Sequence, residues 1–139
     1  MRWLRDRRVW AVLFALAVVV QLIALYLPNP PSGGGIPGAD KAVHAAVFLA
    51  PALLGVLAGL RPVVLAPLLI AHAIVSEVVQ HLLLPGRGGD PWDAVADIVG
   101  VAVGLAVGSA LLLRLRADRP AAPASGGAPT GSGGPRPQP

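Results

Sequence analysis

Apolar residues fill four long stretches of this chain, and short polar segments separate them. The stretches cover about residues 9–27, 41–60, 62–84 and 92–113. A run of roughly 18 or more apolar residues with few charges is long enough to cross a membrane as a helix. Pro51 and Pro67 fall inside two of these runs, and membrane helices tolerate such prolines. The pattern predicts an all-α fold, a four-transmembrane-helix bundle.

The composition agrees with a membrane protein. Hydrophobic residues make up 55% of the chain, charged residues only 13%, and the mean hydropathy is +0.69. A chain of 139 residues has room for one domain, which we assign to residues 1–119. Residues 120–139 are rich in Pro, Gly, Ala and Ser and are expected to form a disordered tail. The lack of cysteine excludes disulfides, thiol catalysis and thiolate metal sites.

The basic residues predict how the helices are oriented. On one side of the membrane lie nine arginines: Arg2, Arg5, Arg7, Arg8, Arg61, Arg114, Arg116, Arg119 and Arg136. Only Lys41 and Arg87 lie on the other side. Because basic residues concentrate in cytoplasmic segments, both termini are expected in the cytoplasm and the loops at 28–40 and 85–92 outside. The pI is near 11.1, but no basic patch or stripe is present, so no nucleic-acid partner is expected.

Three glycines of the fourth stretch are spaced four residues apart, at Gly100, Gly104 and Gly108. Small residues at this spacing form a face along which another helix can approach closely. Glycine is also frequent in membrane helices in general, but the shared register favours a packing face. A second copy of the chain is one partner that this face could take, so a homo-oligomer is an open expectation.

Ionisable residues from three stretches are predicted to lie in one depth band beneath the outer surface of the membrane. At a rise of about 1.5 Å per residue, Glu77 lies about 10 Å and His81 about 5 Å inside the end of the third helix. By the same rise, His44 lies about 5 Å into the second helix and Asp97 about 6 Å into the fourth. Ionisable groups in membrane spans usually face a bundle interior or an aqueous cavity, and they pair with one another. We therefore expect an outward-facing polar pocket.

Spacing within the helices supports this pocket, and each residue also has a plainer interpretation. Pairs four residues apart share a helix face, and three pairs have this spacing: Asp40 and His44, Glu77 and His81, Asp93 and Asp97.

Asp40 and Asp93 could instead be helix N-caps. The whole group could be a structural network that fixes helix register. Gln21 and His72 are expected to form structural hydrogen bonds, and Ser76 to bond to its own helix backbone.

The polar segments resemble the VanZ-like family of small bacterial membrane proteins. The family pattern D-K-x-x-H is matched by "DKAVH" at 40–44, and S-E-x-x-Q by "SEVVQ" at 76–80. P-x-R, followed by aspartates at plus three and plus six and then N-x-x-G, is matched by "PGRGGDPWDAVADIVG". Asp97 replaces the family's asparagine, which adds an acidic group. The match covers residues 40–104.

The resemblance implies a location in the bacterial cytoplasmic membrane and a link to the cell envelope. The family's namesake accompanies glycopeptide-resistance genes and confers low-level teicoplanin resistance, but no reaction can be carried over. Nine residues lie at family motif positions: Asp40, Lys41, His44, Glu77, Gln80, Arg87, Asp90, Asp93 and Asp97.

Our leading hypothesis is that the pocket binds or remodels an anionic envelope lipid or a lipid-linked precursor. Lys41 and Arg87 would hold an anionic group such as a lipid phosphate. The acids would orient these cations and contact hydroxyl groups.

Two other functions stay open. An intramembrane enzyme could use Glu77 with His44 or His81 as a general acid–base pair on a lipid head group. A proton-coupled transporter could use intramembrane acids and histidines as a relay. No cofactor or metal is expected because the chain has no compact metal-binding motif, although His44, Glu77, His81 and Asp97 are suitable ligand types.

Overall fold

Four helices make up nearly all of the described chain. The computed structural model describes residues 6–27, 37–84 and 90–117. Within these ranges there is no strand, and the helices are α1 (Arg7–Tyr26), α2 (Ala39–Ala58), α3 (Pro62–Leu83) and α4 (Pro91–Ala117). Each is long and apolar enough to cross a membrane, with a mean hydropathy between 1.8 and 2.5 over its most apolar window. The predicted all-α fold of four membrane-length helices is confirmed, and the chain is a multi-pass membrane protein.

The helix bounds differ from the predicted ones by a few residues. The largest difference is at the end of α4, which continues to Ala117 rather than ending near residue 113. Leucine and arginine are good helix formers, and Arg114 and Arg116 in the last turn interact favourably with the helix dipole. The tail predicted at 120–139 lies outside the described residues.

Local sequence signals explain several helix ends. The Asp6 side chain accepts a hydrogen bond of 2.9 Å from the backbone N–H of Arg8 and so caps α1. Helix α2 ends at Gly59, whose φ of 96° lies in the left-handed region that favours glycine. Pro62 then occupies the first position of α3, where its missing N–H costs nothing. The short turn at 59–61 therefore makes α2 and α3 antiparallel neighbours.

The three glycines of α4 pack directly on the backbone of α2. A Cβ atom added to Gly104 would lie 2.5 Å from the carbonyl oxygen of Leu49, and one on Gly108 would lie 2.9 Å from that of Leu53. Gly100 meets the carbonyl oxygen of Ala45 at still closer range. Because the three contacts advance by four residues on each helix and in the same direction, α2 and α4 run parallel in a fixed register. This glycine face is covered by α2 of the same chain and is not free for a second copy.

Helix α2 is the centre of the bundle, since α1, α3 and α4 all contact it. The buried core is built from residues of all four helices, namely Leu25, Phe48, Ala52, Val56, Leu65, Leu69, Ala73 and Val101. The exposed surface of the bundle is also apolar, as shown by Leu83 and Val63, which are both 70% exposed. Large exposed apolar faces on every helix suit contact with lipid.

Candidate functional site

The N-terminal turns of α2 and α4 and the C-terminal turns of α3 lie at the same end of the bundle, here called the polar end. This follows from the parallel α2–α4 pair and the antiparallel α2–α3 pair. The glycine face sets the register of α4 on α2, and one to two turns nearer the polar end that register brings Asp97 beside His44 and Asp93 beside Lys41. The close packing of α4 on α2 at the three glycines therefore also brings the polar side chains of these two helices together.

Lys41 is the centre of a charged network at the rim of the polar end. Its ammonium group donates to Asp90 at 2.8 Å, to Asp93 at 3.1 Å and to Asp40 at 3.2 Å. An ammonium group has three N–H donors, so these three carboxylates use its full donor capacity. Lys41 therefore joins the start of α2 to the start of α4, and no N–H is left over for an external anion.

Asp90 has a double role at the start of α4. One carboxylate oxygen accepts the backbone N–H of Trp92 at 2.9 Å, which caps the helix, while the other accepts from Lys41. The Lys41 hydrogen bond, followed by the Trp92 N–H, holds the pKa of the Asp90 carboxyl below its ordinary value. The idea that Asp93 or Asp40 caps a helix is wrong, since Gly38 is the N-cap of α2 and both aspartates lie in first turns.

His44 lies deeper, among three carboxylates from two other helices. Its Nδ1 atom is 3.0 Å from Oδ1 of Asp97 and 3.7 Å from Oε1 of Glu77. Its Nε2 atom is 3.8 Å from Oδ2 of Asp93. Asp97 is fully buried, and Glu77 and Asp93 are each 8% exposed. Residues from α2, α3 and α4 thus converge on one imidazole ring.

His44, Glu77, Asp93 and Asp97, with the neighbouring Gln80, are here called the inner cluster. Several of its polar atoms have no hydrogen-bond partner in the described part of the chain. They are both carboxylate oxygens of Glu77, Oδ2 of Asp97 and the amide nitrogen of Gln80. A buried polar group without a partner costs about 1–3 kcal/mol, and a charged one costs more. The cluster therefore has unused binding capacity. One ligand atom each from His44, Glu77 and Asp97 lies within 4.8 Å of the other two.

Most of the residues predicted for the pocket do come together. The residues that contact Lys41 or His44, together with these two, are Asp40, Lys41, His44, Glu77, Asp90, Asp93 and Asp97. Gln80 is buried on α3 one turn from Glu77. Arg87 lies outside the described residues.

His81, the other candidate acid–base residue, is exposed, whereas Glu77 is buried. Positions four apart differ by about 40° around a helix, and this rotation turns His81 away from the bundle interior.

The structural roles expected for other polar residues are partly visible. Ser76 donates to the carbonyl oxygen of Ala73 at 2.9 Å, within its own helix. His72 pairs with the hydroxyl of Tyr26 at 3.3 Å and packs near the ring of Phe48. The sequence did not predict this bond between α1 and α3, because no local spacing links positions so far apart. Gln21 is buried, but its amide nitrogen has no partner within the described residues.

Comparison with known proteins gave no further lead. No family model, no curated protein and no solved structure matches this chain.

Proposed function

We propose that this protein is a VanZ-like protein of the bacterial cytoplasmic membrane that binds a lipid or lipid-linked envelope precursor at its polar end. One observation carries the proposal: the three motif segments "DKAVH", "SEVVQ" and "DPWDAVAD", which are far apart in the chain, contribute side chains to one cluster. A cluster of buried, partly unpaired polar groups at one end of a membrane bundle is typical of a binding site. The arginine distribution supports cytoplasmic termini, with the polar end facing outward.

The charges of the polar end suggest how a head group is held. The described cluster contains five carboxylates but only Lys41 and His44 as basic groups, and Lys41 is engaged by three of those carboxylates. Carboxylates accept hydrogen bonds, so the inner cluster suits the hydroxyl, amide or amine groups of a sugar or peptide moiety. We assign phosphate binding to Arg87. Lys41 then organises the acids rather than contacting the phosphate directly.

Lipid retention tests this proposal. The full chain and its variants are purified from bacterial membranes in mild detergent, and the co-purifying lipids are identified by mass spectrometry. Arg87→Ala and Glu77→Gln should lose a phosphate-containing lipid that the wild-type protein retains. Arg61→Ala is the matched control, because it removes an exposed arginine at the opposite end of the bundle.

Susceptibility of cells to teicoplanin is the second readout. Expression of the wild-type protein should raise resistance, and Arg87→Ala should abolish the increase. If wild-type, Arg87→Ala and Arg61→Ala proteins carry the same lipids and give the same susceptibility, the proposal fails.

An intramembrane acid–base enzyme is the second candidate, and the hydrogen bond between His44 and Asp97 favours it. A carboxylate that fixes an imidazole is a common arrangement for a general base, and Glu77 lies 3.7 Å from the same ring atom. General acid–base catalysis contributes about 10²–10⁴-fold to a rate. Head-group release from lipid-linked precursors in proteoliposomes should therefore fall by at least about 100-fold in His44→Ala. No release by the wild-type protein would rule out this candidate.

A further inference from the structure

One histidine and two carboxylates of the polar end have the chemistry and the spacing of a metal site. We infer that His44, Glu77 and Asp97 bind a divalent first-row transition metal ion, with Zn²⁺ as the best fit. Imidazole and carboxylate groups are usual ligands of Zn²⁺ and its neighbours. No compact motif announces the site in the sequence because each ligand comes from a different helix. The inference does not depend on the proposed lipid ligand.

The two distances from the His44 ring nitrogen to the carboxylate oxygens suit a tetrahedral ion, and all three ligand atoms lie within 4.8 Å of one another. Two atoms each about 2.1 Å from a tetrahedral metal lie about 3.4 Å from each other. Nδ1 of His44 is 3.0 Å from the nearest oxygen of Asp97 and 3.7 Å from that of Glu77, so the two observed distances bracket the expected one. An ion between these atoms would replace the His44–Asp97 hydrogen bond with two coordinate bonds.

The unpaired oxygens provide an independent reason. Both carboxylate oxygens of Glu77 and Oδ2 of Asp97 are buried and lack a hydrogen-bond partner among the described residues. Asp97 is fully buried, and Glu77 is only 8% exposed. Native proteins seldom leave such strong acceptors unused. A cation held between the two side chains would satisfy oxygens that have no hydrogen-bond partner among the described residues.

Charge balance points the same way. Glu77 and Asp97 bring two carboxylates into membrane-spanning helices, while Lys41 contacts neither of them and pairs with Asp93 instead. Buried charges in a membrane need a partner. A divalent ion neutralises two carboxylates with one neutral imidazole as the third ligand, so the set has no net charge.

Asp93 lies where it can orient the His44 ring for metal binding. With Nδ1 on the metal, the Nε2–H faces Asp93, whose carboxylate lies 3.8 Å away and is itself held by Lys41 at 3.1 Å. A metal-binding histidine commonly donates its second N–H to a carboxylate, which fixes its tautomer and orientation. Three protein ligands also leave one tetrahedral position open for water or a ligand oxygen, as in catalytic zinc sites.

Metal content of the purified protein tests the inference. The full chain is prepared with a tag that contains no histidine, dialysed against Zn²⁺, Mn²⁺ or Fe²⁺, washed, and analysed by mass spectrometry of the metals. The wild-type protein should retain about one Zn²⁺ per chain. His44→Ala and Asp97→Asn should bind at least about ten-fold more weakly, since even outer-shell changes cost this much. His81→Ala is the matched control, because it removes an exposed histidine of α3 and should bind like the wild type.

Thermal unfolding guards against variants that do not fold. Zn²⁺ should raise the melting temperature of wild-type and His81→Ala proteins after chelator treatment, and the same Zn²⁺ concentration should raise that of Asp97→Asn, which keeps a similar size and shape, by clearly less. A wild-type protein that takes up no stoichiometric Zn²⁺, Mn²⁺ or Fe²⁺ and gains no stability from them would overturn the inference. So would equal binding by wild-type and Asp97→Asn proteins. Either result would leave the lipid-retention test above unaffected.

Discussion

Replacing Gly104 with alanine tests the link between helix packing and the polar end. The new Cβ atom would lie 2.5 Å from the carbonyl oxygen of Leu49 and 2.7 Å from the Cβ of Ala52. Favourable contacts between such atoms lie at about 3.5–4.0 Å, so α2 and α4 must separate by about 1 Å. Because Leu49 presents a backbone atom, the helix as a whole has to move.

Two opposing terms set the size of the effect. Alanine is a better helix former than glycine by about 1 kcal/mol, which favours the variant. Overpacking typically costs about 1–3 kcal/mol, and a backbone clash belongs at the upper end of that range. We therefore expect a net loss of about 2 kcal/mol in the free energy of unfolding. The same separation should also lengthen the 3.0 Å contact between His44 and Asp97 and weaken metal binding.

The assay is unfolding of the full chain in detergent, together with Zn²⁺ binding. Ala106→Leu is the control, because it adds more volume on an exposed position of the same helix and should change stability by less than about 0.5 kcal/mol. A Gly104→Ala protein as stable as the wild type would refute the reasoning. Glycine would then be present at this position only because it is common in membrane helices.

Three further predictions concern the surroundings of the site. Lys41→Met leaves three carboxylates without their shared cation, so the melting temperature should fall, and by more at low ionic strength than in ~1 M salt. Because Lys41 lowers the pKa of Asp90, this pair stabilises the fold above the ordinary aspartate pKa and loses that effect as the pH falls through the lowered value. The stability difference between wild-type and Asp90→Asn proteins should therefore vanish in acid. Tyr26→Phe removes the hydroxyl that pairs with His72 and should cost about 0.6 kcal/mol in unfolding experiments, an average value for such bonds in membranes.

The length of the apolar runs was enough to predict the four helices, because a membrane requires apolar segments of a minimum length. The helical rise predicted that His44, Glu77, His81 and Asp97 lie in one depth band, since depth follows from distance along a helix. The glycine spacing predicted a packing face on α4. Run length, depth and residue spacing are properties of single helices, and they can be read from one segment at a time.

Neighbour relations between helices were not predictable in this way. Nothing in the local pattern says that Gly104 packs on Leu49 of α2 rather than on another helix or another chain. For the same reason the sequence assigned Lys41 to an external anion, whereas three carboxylates surround it. The sequence also named four suitable metal ligand types, and only the meeting of three helices selects His44, Glu77 and Asp97 from them.

Convergence of α3 and α4 at the polar end is the central claim, and cysteine pairs test it most directly. The chain has no native cysteine, so Glu77→Cys with Asp97→Cys introduces the only two thiols. Dibromobimane becomes fluorescent when it bridges two close thiols, and in native membranes this pair should be bridged readily. The control pair is Val78→Cys with Asp97→Cys, since Val78 is the next residue on α3 but is 51% exposed; it should react little. Equal labelling of the two pairs, or no bridging of the first, would contradict the account.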